Sequence, residues 1–280
     1  MSTTDLHAGP RDPFELAPAP QTELPDGPQW LFKDSWTEAT RHLKAVPRNP
    51  ELLIFATIQP IMFIVLFVYV FQGSVQVPID YVQYVIPGIF AQTVLFNSAF
   101  TGVGVADDLS KGIIDRLRSL PMHQGAVLIG RTLSDVVRNV VTFVVMLVVA
   151  FAVGFRFEGT LLAALAATGL MFIFSYAFSW IQALIGLSVG SVEAANSAGF
   201  IWMFPLTFVS SAFVDPENMT GWLQPIAEHN PFTILTDACR ALYNGYDPGN
   251  DAWIALAWAV GITIVFAILA TRKFARSTSA

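Results

Sequence analysis

Residues 161–214 read LLAALAATGLMFIFSYAFSWIQALIGLSVGSVEAANSAGFIWMFPLTFVSSAFV, 54 residues with a single charge, Glu193. A helix needs about 20 apolar residues to cross the hydrocarbon of a bilayer, and in lipid only helices or closed barrels satisfy their own backbone. The stretch is too long for one crossing and the right length for two that turn near Gly190–Asn196. The same length test, carried outward, finds apolar runs at 52–72, 84–106, 136–155 and 253–271. The expectation is an all-α membrane protein with six transmembrane helices.

Composition agrees. Only 13% of the 280 residues are charged and 54% are hydrophobic, where a soluble domain carries about 25% charged residues. A net charge of −6 gives no electrostatic footprint for nucleic acid. The one cysteine, Cys239, has no partner for a disulfide, and His7, His42, His123 and His229 all lie outside the apolar runs. The reading therefore assigns no metal and no catalytic residue.

Charge position orients the chain. With the N-terminus in the cytoplasm, 13 of the 15 Lys and Arg residues fall on the inner side and only Arg156 and Arg240 fall outside. The opposite orientation reverses the positive-inside rule. A multi-pass protein of the plasma (inner) membrane with both termini cytoplasmic is expected.

The segments between the runs differ in character. Residues 1–29 hold six prolines, five acids and one base, a composition too poor in apolar groups to offset ordering entropy, and are read as a disordered tail. Residues 30–47 alternate Phe32, Trp36, Ala39, Leu43 and Val46 with Lys33, Arg41 and Lys44, the pattern of an amphipathic helix lying at the interface against membrane lipids. An amphipathic helix packed on protein is the alternative there. Residues 276–280 form a short inner tail.

Between their ends the six runs carry no Asp, Glu, Lys, Arg or His; Arg138 and Asn139 sit at the end of the third, where they can reach the headgroups. Carriers driven by protons or ions use ionisable groups at membrane depth, so a pump of this composition draws energy from outside the bilayer. None of the four lysines (Lys33, Lys44, Lys111, Lys273) precedes Ser or Thr, so the chain has no P-loop of its own. A separate ATPase would have to press on the one large inner loop, residues 107–121, where Leu109, Ile113, Leu117 and Leu120 recur at helical spacing before Pro121.

The run 107–135, DDLSKGIIDRLRSLPMHQGAVLIGRTLSD, resembles the acid–x–x–x–G–x–x–D–R–L–R–S–L–P signature of type-2 ABC exporter permeases, in particular the daunorubicin-resistance-like membrane subunits of actinobacteria. A second stretch, with Pro216, Trp222-Leu223, Ile226-Ala227, Asn230-Pro231-Phe232-Thr233 and Arg240, is similar to a motif near the end of the same family. The resemblance implies a permease domain over 48–275, paired as a homodimer with two copies of an ATP-binding subunit. It implies that ATP and Mg are held by that partner, with no cofactor on this chain. It makes 107–121 the coupling helix that docks on the ATPase, through Asp108, Gly112, Asp115, Arg116, Arg118, Leu120 and Pro121. It also implies an export path along the second and fifth spans, lined by Gln92, Phe96, Asn97 and Phe100, and by Phe200, Met203, Phe204, Thr207 and Phe208. Aromatic rings with a few amides suit a small amphipathic drug-like or lipid-like substrate. A lipid-linked polysaccharide, an ATP-independent secondary carrier and a non-transporting anchor for an ATPase are the alternatives.

On the outer side, residues 215–245 carry two short helical patterns that could re-enter the membrane. Arg240 is the one base there, and could brace them through Asp237 or Glu228. A solvated Arg240 is the competing reading. Glu193 is read as a water-exposed acid of the turn between the fourth and fifth spans, with a second, smaller ATPase contact as the alternative.

Overall fold

The computed structural model describes residues 50–113 and 124–276. The tail 1–29, the segment 30–47, the loop residues Asp115, Arg116, Arg118, Leu120 and Pro121, and positions 277–280 lie outside the described residues. Among the described residues there are nine α-helices and no strand. They are α1 Pro50–Leu66, extended by the π-helical turn Phe67–Phe71, α2 Tyr81–Asn97, α3 Ala99–Ser110, α4 Gln124–Ala152 and α5 Leu161–Gly186, followed by α6 Val192–Phe208, α7 Gln224–Glu228, α8 Pro231–Tyr243 and α9 Asp251–Arg276.

Among the described residues, four helices are long and apolar enough to cross a membrane: Tyr81–Ser110, which is α2 and α3 end to end, Leu128–Ala152, Leu161–Gly186 and Asp251–Ala275. The expected first and fifth spans appear as the shorter apolar stretch Ile58–Phe71 and the 17-residue α6. The outer faces of α4 and α9 expose Val140, Val144 and Val148, and Trp253, Trp258 and Ile264, with no polar cover. Apolar area on that scale belongs against lipid or protein rather than water.

Short polar residues start the helices. The Asp80 carboxylate accepts the amide of Val82 at 3.1 Å, Thr160 Oγ1 that of Ala163 at 3.2 Å, and Ser191 Oγ that of Ala194 at 3.1 Å. Each supplies an acceptor to amides that the first helical turn leaves unpaired. The cap at Ser191 moves the turn between α5 and α6 earlier than expected, since Glu193 and Asn196 already belong to α6. Exposed Glu193 lies in the first turn of α6, where the helix dipole favours an acid.

The charged loop also departs from expectation. Asp107 to Ser110 complete α3 instead of opening a new helix. The amides of Lys111 and Gly112 close the end on Asp107 O and Leu109 O, and Gly112 takes φ +64°, the left-handed conformation that favours glycine. Leu109 and Ile113 therefore do not share one continuous helical stripe.

α5 is the central element and touches α2, α3, α4, α6, α8 and α9. Its inward face meets an aromatic knot in which Phe90 of α2 packs edge-on against Phe143 of α4 at 5.0 Å, and Phe157 stacks on Tyr243 of α8 at 5.2 Å. The Tyr243 hydroxyl, fully buried, bonds Thr168 Oγ1 at 2.8 Å, which satisfies the one polar atom in that knot. A smaller apolar cluster of Val105, Leu128, Trp180, Leu187 and Phe274 closes the end of the bundle that carries Gly112.

Candidate functional site

The membrane-length helix Tyr81–Ser110 tightens at Ser98, which keeps helical angles (φ −64°, ψ −23°) while the hydrogen-bond ladder is interrupted. The amide of Ser98 donates to Leu95 O and that of Thr101 to Ser98 O, three residues back rather than four. Beside this turn lies a cavity of about 210 Å³ lined by Gln59, Pro60 and Phe63 of α1, Gln92, Thr93, Phe96 and Asn97 of α2, Phe100 of α3 and Phe200 of α6. Gln92 and Asn97 are 3% and 4% exposed, and Gln92 Nε2 and Asn97 Nδ2 have no hydrogen-bond partner. A buried amide without a partner costs about 1–3 kcal/mol, and here two such donors stand in the wall of one cavity.

Five residues expected on the path, Gln92, Phe96, Asn97, Phe100 and Phe200, are thus brought together. The other four are not. The Phe96 ring meets Phe200 at 5.5 Å and Phe204 at 5.1 Å, but Phe204 stands outside the cavity and Phe208 stacks on Phe213 at 5.3 Å. Met203 and Thr207 face the chain's own interior. Met203 Sδ accepts Gln182 Nε2 at 2.8 Å, and the Thr207 hydroxyl donates to Met203 O at 2.9 Å. Helical period separates the two sets, since 200 and 204 share one face and 203 and 207 the next. Gln59, Pro60, Phe63 and Thr93 were missed; Gln59 and Pro60, a polar residue and a helix breaker within an apolar run, were the available signal.

A polar seam joins α3 and α4. Asp108 pairs with Arg131 at 2.9 Å, Thr101 Oγ1 donates to Asp135 Oδ2, and Asp135 Oδ1 pairs with Arg138 at 2.7 Å. Arg138 also donates to Asn97 O at 3.3 Å and covers the Phe100 ring at 5.1 Å. This corrects two expectations. Asp135, 3% exposed, and Arg138 lie beside Thr101 and Asn97 inside the bundle, so its body is not empty of ionisable groups. Arg138 and Asn139 do not reach outward to headgroups; Asn139, 2% exposed, donates to Ser175 Oγ at 3.0 Å. The sequence misled because α4 starts at Gln124, well before the apolar run at 136.

The seam depends on a glycine. A Cβ on Gly104 would stand 1.3 Å from the Arg131 guanidinium. Gly104→Ala is expected to push Arg131 off Asp108 and lower stability by about 1 kcal/mol, because the obstacle is the tip of a flexible side chain. A thermal shift as large as that of Arg131→Ala would show that the pair itself was lost.

At the opposite end Arg240 is 8% exposed and fully engaged. Its Nε donates to Tyr84 O at 3.0 Å, one terminal nitrogen to Ser211 O at 2.6 Å and the other to Asp237, while the guanidinium lies 3.7 Å over the Tyr84 ring. Ser211 Oγ donates to the same Asp237 oxygen at 2.7 Å. Glu228 is not part of this arrangement; it is exposed and accepts Gln224 Nε2 at 2.7 Å, one turn away in α7. Asn230 explains the motif before Arg240. Its side chain caps α8 at the amide of Phe232 (2.8 Å), and its amide nitrogen serves Leu206 O and Val209 O at 2.7 and 2.6 Å, the carbonyls that the end of α6 leaves open. The hydroxyl of Thr233 accepts the Ser211 amide at 3.1 Å.

The described residues form an all-helical body with four helices long and apolar enough to cross a membrane and a buried cavity that carries two unpartnered amides. The sequence profile of ABC-2 type transporters matches residues 35–244, and the chain belongs to that family. It is a multi-pass membrane permease subunit, not an enzyme, of the class that works with an ABC ATP-binding partner. It is 33% identical over 239 residues to the daunorubicin resistance ABC transporter permease protein DrrB1 of Streptomyces coeruleorubidus, covering 85% of this chain and 84% of that one. It is 24% identical over 258 residues to the probable doxorubicin resistance ABC transporter permease protein DrrC of Mycobacterium tuberculosis, covering 91% and 93% of the two chains. It is 27% identical over 184 residues to the probable multidrug ABC transporter permease YbhR of Escherichia coli, covering 64% and 47%.

Proposed function

We propose that this chain is the membrane half of an ATP-driven exporter, and that it moves an amphipathic drug-like or lipid-like molecule outward through the cavity at Gln92, Phe96 and Asn97. The observation that carries the reading is the pair of buried, unpartnered amides among phenylalanine rings, in a cavity lined by no carboxylate. Such a lining holds a ring system with hydrogen-bonding groups at its edge and lets it go again. Pockets for drug-sized ligands run to about 300–1,000 Å³, more than this cavity offers by itself, so in this reading two copies of the chain face each other and share the path.

In this reading the chain crosses the plasma (inner) membrane six times, with α1 and α6 supplying the two shorter crossings and both termini in the cytoplasm. The Gly112 end faces inward. Residues 112–120 couple to the ATP-binding subunit, present in two copies with its own ATP and Mg. The segment 30–47 lies against lipid headgroups, and α7 and α8 form the outer re-entrant piece. The name of the DrrB1 relative makes an anthracycline the first cargo to try.

The test is uptake of daunorubicin into inside-out vesicles holding this chain and an ABC ATP-binding subunit. Asn97→Leu and Phe96→Ala are each expected to lower ATP-dependent uptake about tenfold or more, with co-purification of the ATPase unchanged. Native uptake in both variants, or uptake that persists without the ATP-binding subunit, rejects the proposal.

A further inference from the structure

The tightened turn at Ser98 sits on the longest of the four membrane-length helices among the described residues, where an uninterrupted ladder would be the lower-energy choice in lipid. An interrupted ladder persists there only where neighbours take over the backbone groups it releases. Two carbonyls beside this turn are served from other helices. Val94 O accepts Ser175 Oγ at 2.6 Å and Asn139 Nδ2 at 3.5 Å, and Asn97 O accepts the Arg138 guanidinium at 3.3 Å. Arg138 is aimed by Asp135, which is fixed in turn by Thr101 on the far side of Ser98. The ion pair, its acid buried and its base 20% exposed, thus bridges the two sides of the Ser98 turn, Asn97 on one and Thr101 on the other. A paired acid and base inside a membrane bundle is expensive to keep there, and is retained where it holds a functional geometry.

We infer that Arg138 and Asp135 are positioning residues that hold the tightened turn at Ser98 and so set where Asn97 and Phe100 stand in the cavity wall. Neither lines the cavity. Arg138 acts through the Asn97 carbonyl and the Phe100 ring, and Asp135 acts through Arg138 and Thr101. Without the guanidinium, the Asn97 carbonyl regains a partner by re-forming the regular ladder, which turns α3 relative to α2 and shifts Asn97 and Phe100 against Phe200 and the α1 side of the cavity wall. The pair therefore sets which shape the cavity accepts. This last consequence rests on the cavity being the cargo site, whereas the geometry does not.

The test uses the full-length chain in membranes with Cys239→Ala and Asn97→Cys, so that its one thiol reports the cavity wall. The probe is N-ethylmaleimide. Arg138→Gln is expected to slow labelling at position 97 about fivefold or more, and Asp135→Asn to slow it less, since Arg138 can still reach the carbonyl. A thiol at exposed Ser188 (Ser188→Cys) should label at its native rate in both backgrounds. Native labelling at position 97 in Arg138→Gln overturns the inference. If Arg138→Gln does not accumulate, Arg138→Lys is used, which keeps the charge and loses the fork that spans carboxylate and carbonyl. Slowed labelling there supports the role, and native labelling overturns it by leaving the pair a part in folding alone. Failure of daunorubicin as a cargo would leave these rates unchanged, which separates the two readings.

Discussion

Arg240→Ala is expected to lower the stability of the folded chain by about 2–4 kcal/mol, because two buried carbonyls lose their donor at about 1–3 kcal/mol each, while the ion pair adds little with the Asp237 side chain 37% exposed. The variant leaves Tyr84 O and Ser211 O without their donor and Asp237 without its cation, and it strips the cover from the Tyr84 ring. Those groups come from α2, from the segment after α6 and from α8, so a single truncation loosens three elements at once. In a chain of this size the loss reads as a fall of about 10 °C in the midpoint of thermal unfolding in detergent. Arg240→Lys keeps the charge but not the planar fork, and is expected to recover less than half of the loss. Glu228→Gln is expected to change nothing measurable, because Glu228 is exposed and meets only Gln224. A midpoint for Arg240→Ala within about 2 °C of the native one would show that solvent or lipid replaces these bonds.

The second large effect is predicted at Gly186. A Cβ there would stand 2.3 Å from Gly102 O and about 3 Å from two further backbone atoms of Gly102, and a Cβ on Gly102 would stand 2.6 Å from Gln182 O. The two glycines let α3 and α5 approach backbone to backbone, the small-residue contact by which membrane helices associate in the absence of a hydrophobic drive. Gly186→Ala must push the helices apart because no flexible side chain can yield, and is expected to cost about 3 kcal/mol, the upper end for overpacking. Gly169, in the same helix, faces open space. Gly169→Ala is expected to stabilise by about 0.5–1 kcal/mol through helix propensity alone. Measured side by side, the two substitutions should move the unfolding midpoint in opposite directions. A fall of similar size in both would mean that α5 resists any added volume and that the Gly102–Gly186 contact is nothing special.

The cavity was partly legible in the chain. Gln92, Phe96, Asn97 and Phe100 lie one helical turn apart, which puts them on a common stripe before any fold is known. Their meeting with Phe200 depends on the packing of α2 against α6. Met203 and Thr207 show the limit of that reading. They are as apolar or as mildly polar as their neighbours, and only the rotation of α6 about its axis turns them toward Gln182 and away from the cavity. Arg240 was visible as the lone base of an acidic segment, and Asp237, one turn before it, as its partner. Glu228 was an equally good partner by charge, and the break between α7 and α8 at Asn230 removes it.

Asp135 and Arg138 mark the clearest gap. A scan for apolar runs starts a span where charge thins out, so Asp135 fell before the third run and Arg138 at its very end, yet α4 carries both into the bundle. Charge pairing is not visible in hydropathy: Asp135 meets its cation three residues on and Thr101 34 residues back.

By itself the sequence determined that this chain lives in lipid as helices, because a backbone in hydrocarbon must satisfy its own hydrogen bonds and only long apolar runs tolerate that solvent. It also carried the signature of the loop at 107–121 and the Asn230-Pro231 start of α8, since both are written in contiguous residues. The tertiary structure alone decided that the second long helix tightens at Ser98, that Arg138 holds that turn and that two amides are left facing a cavity. Those features follow from which helix lies beside which, and a lone sequence contains no distances between its distant parts.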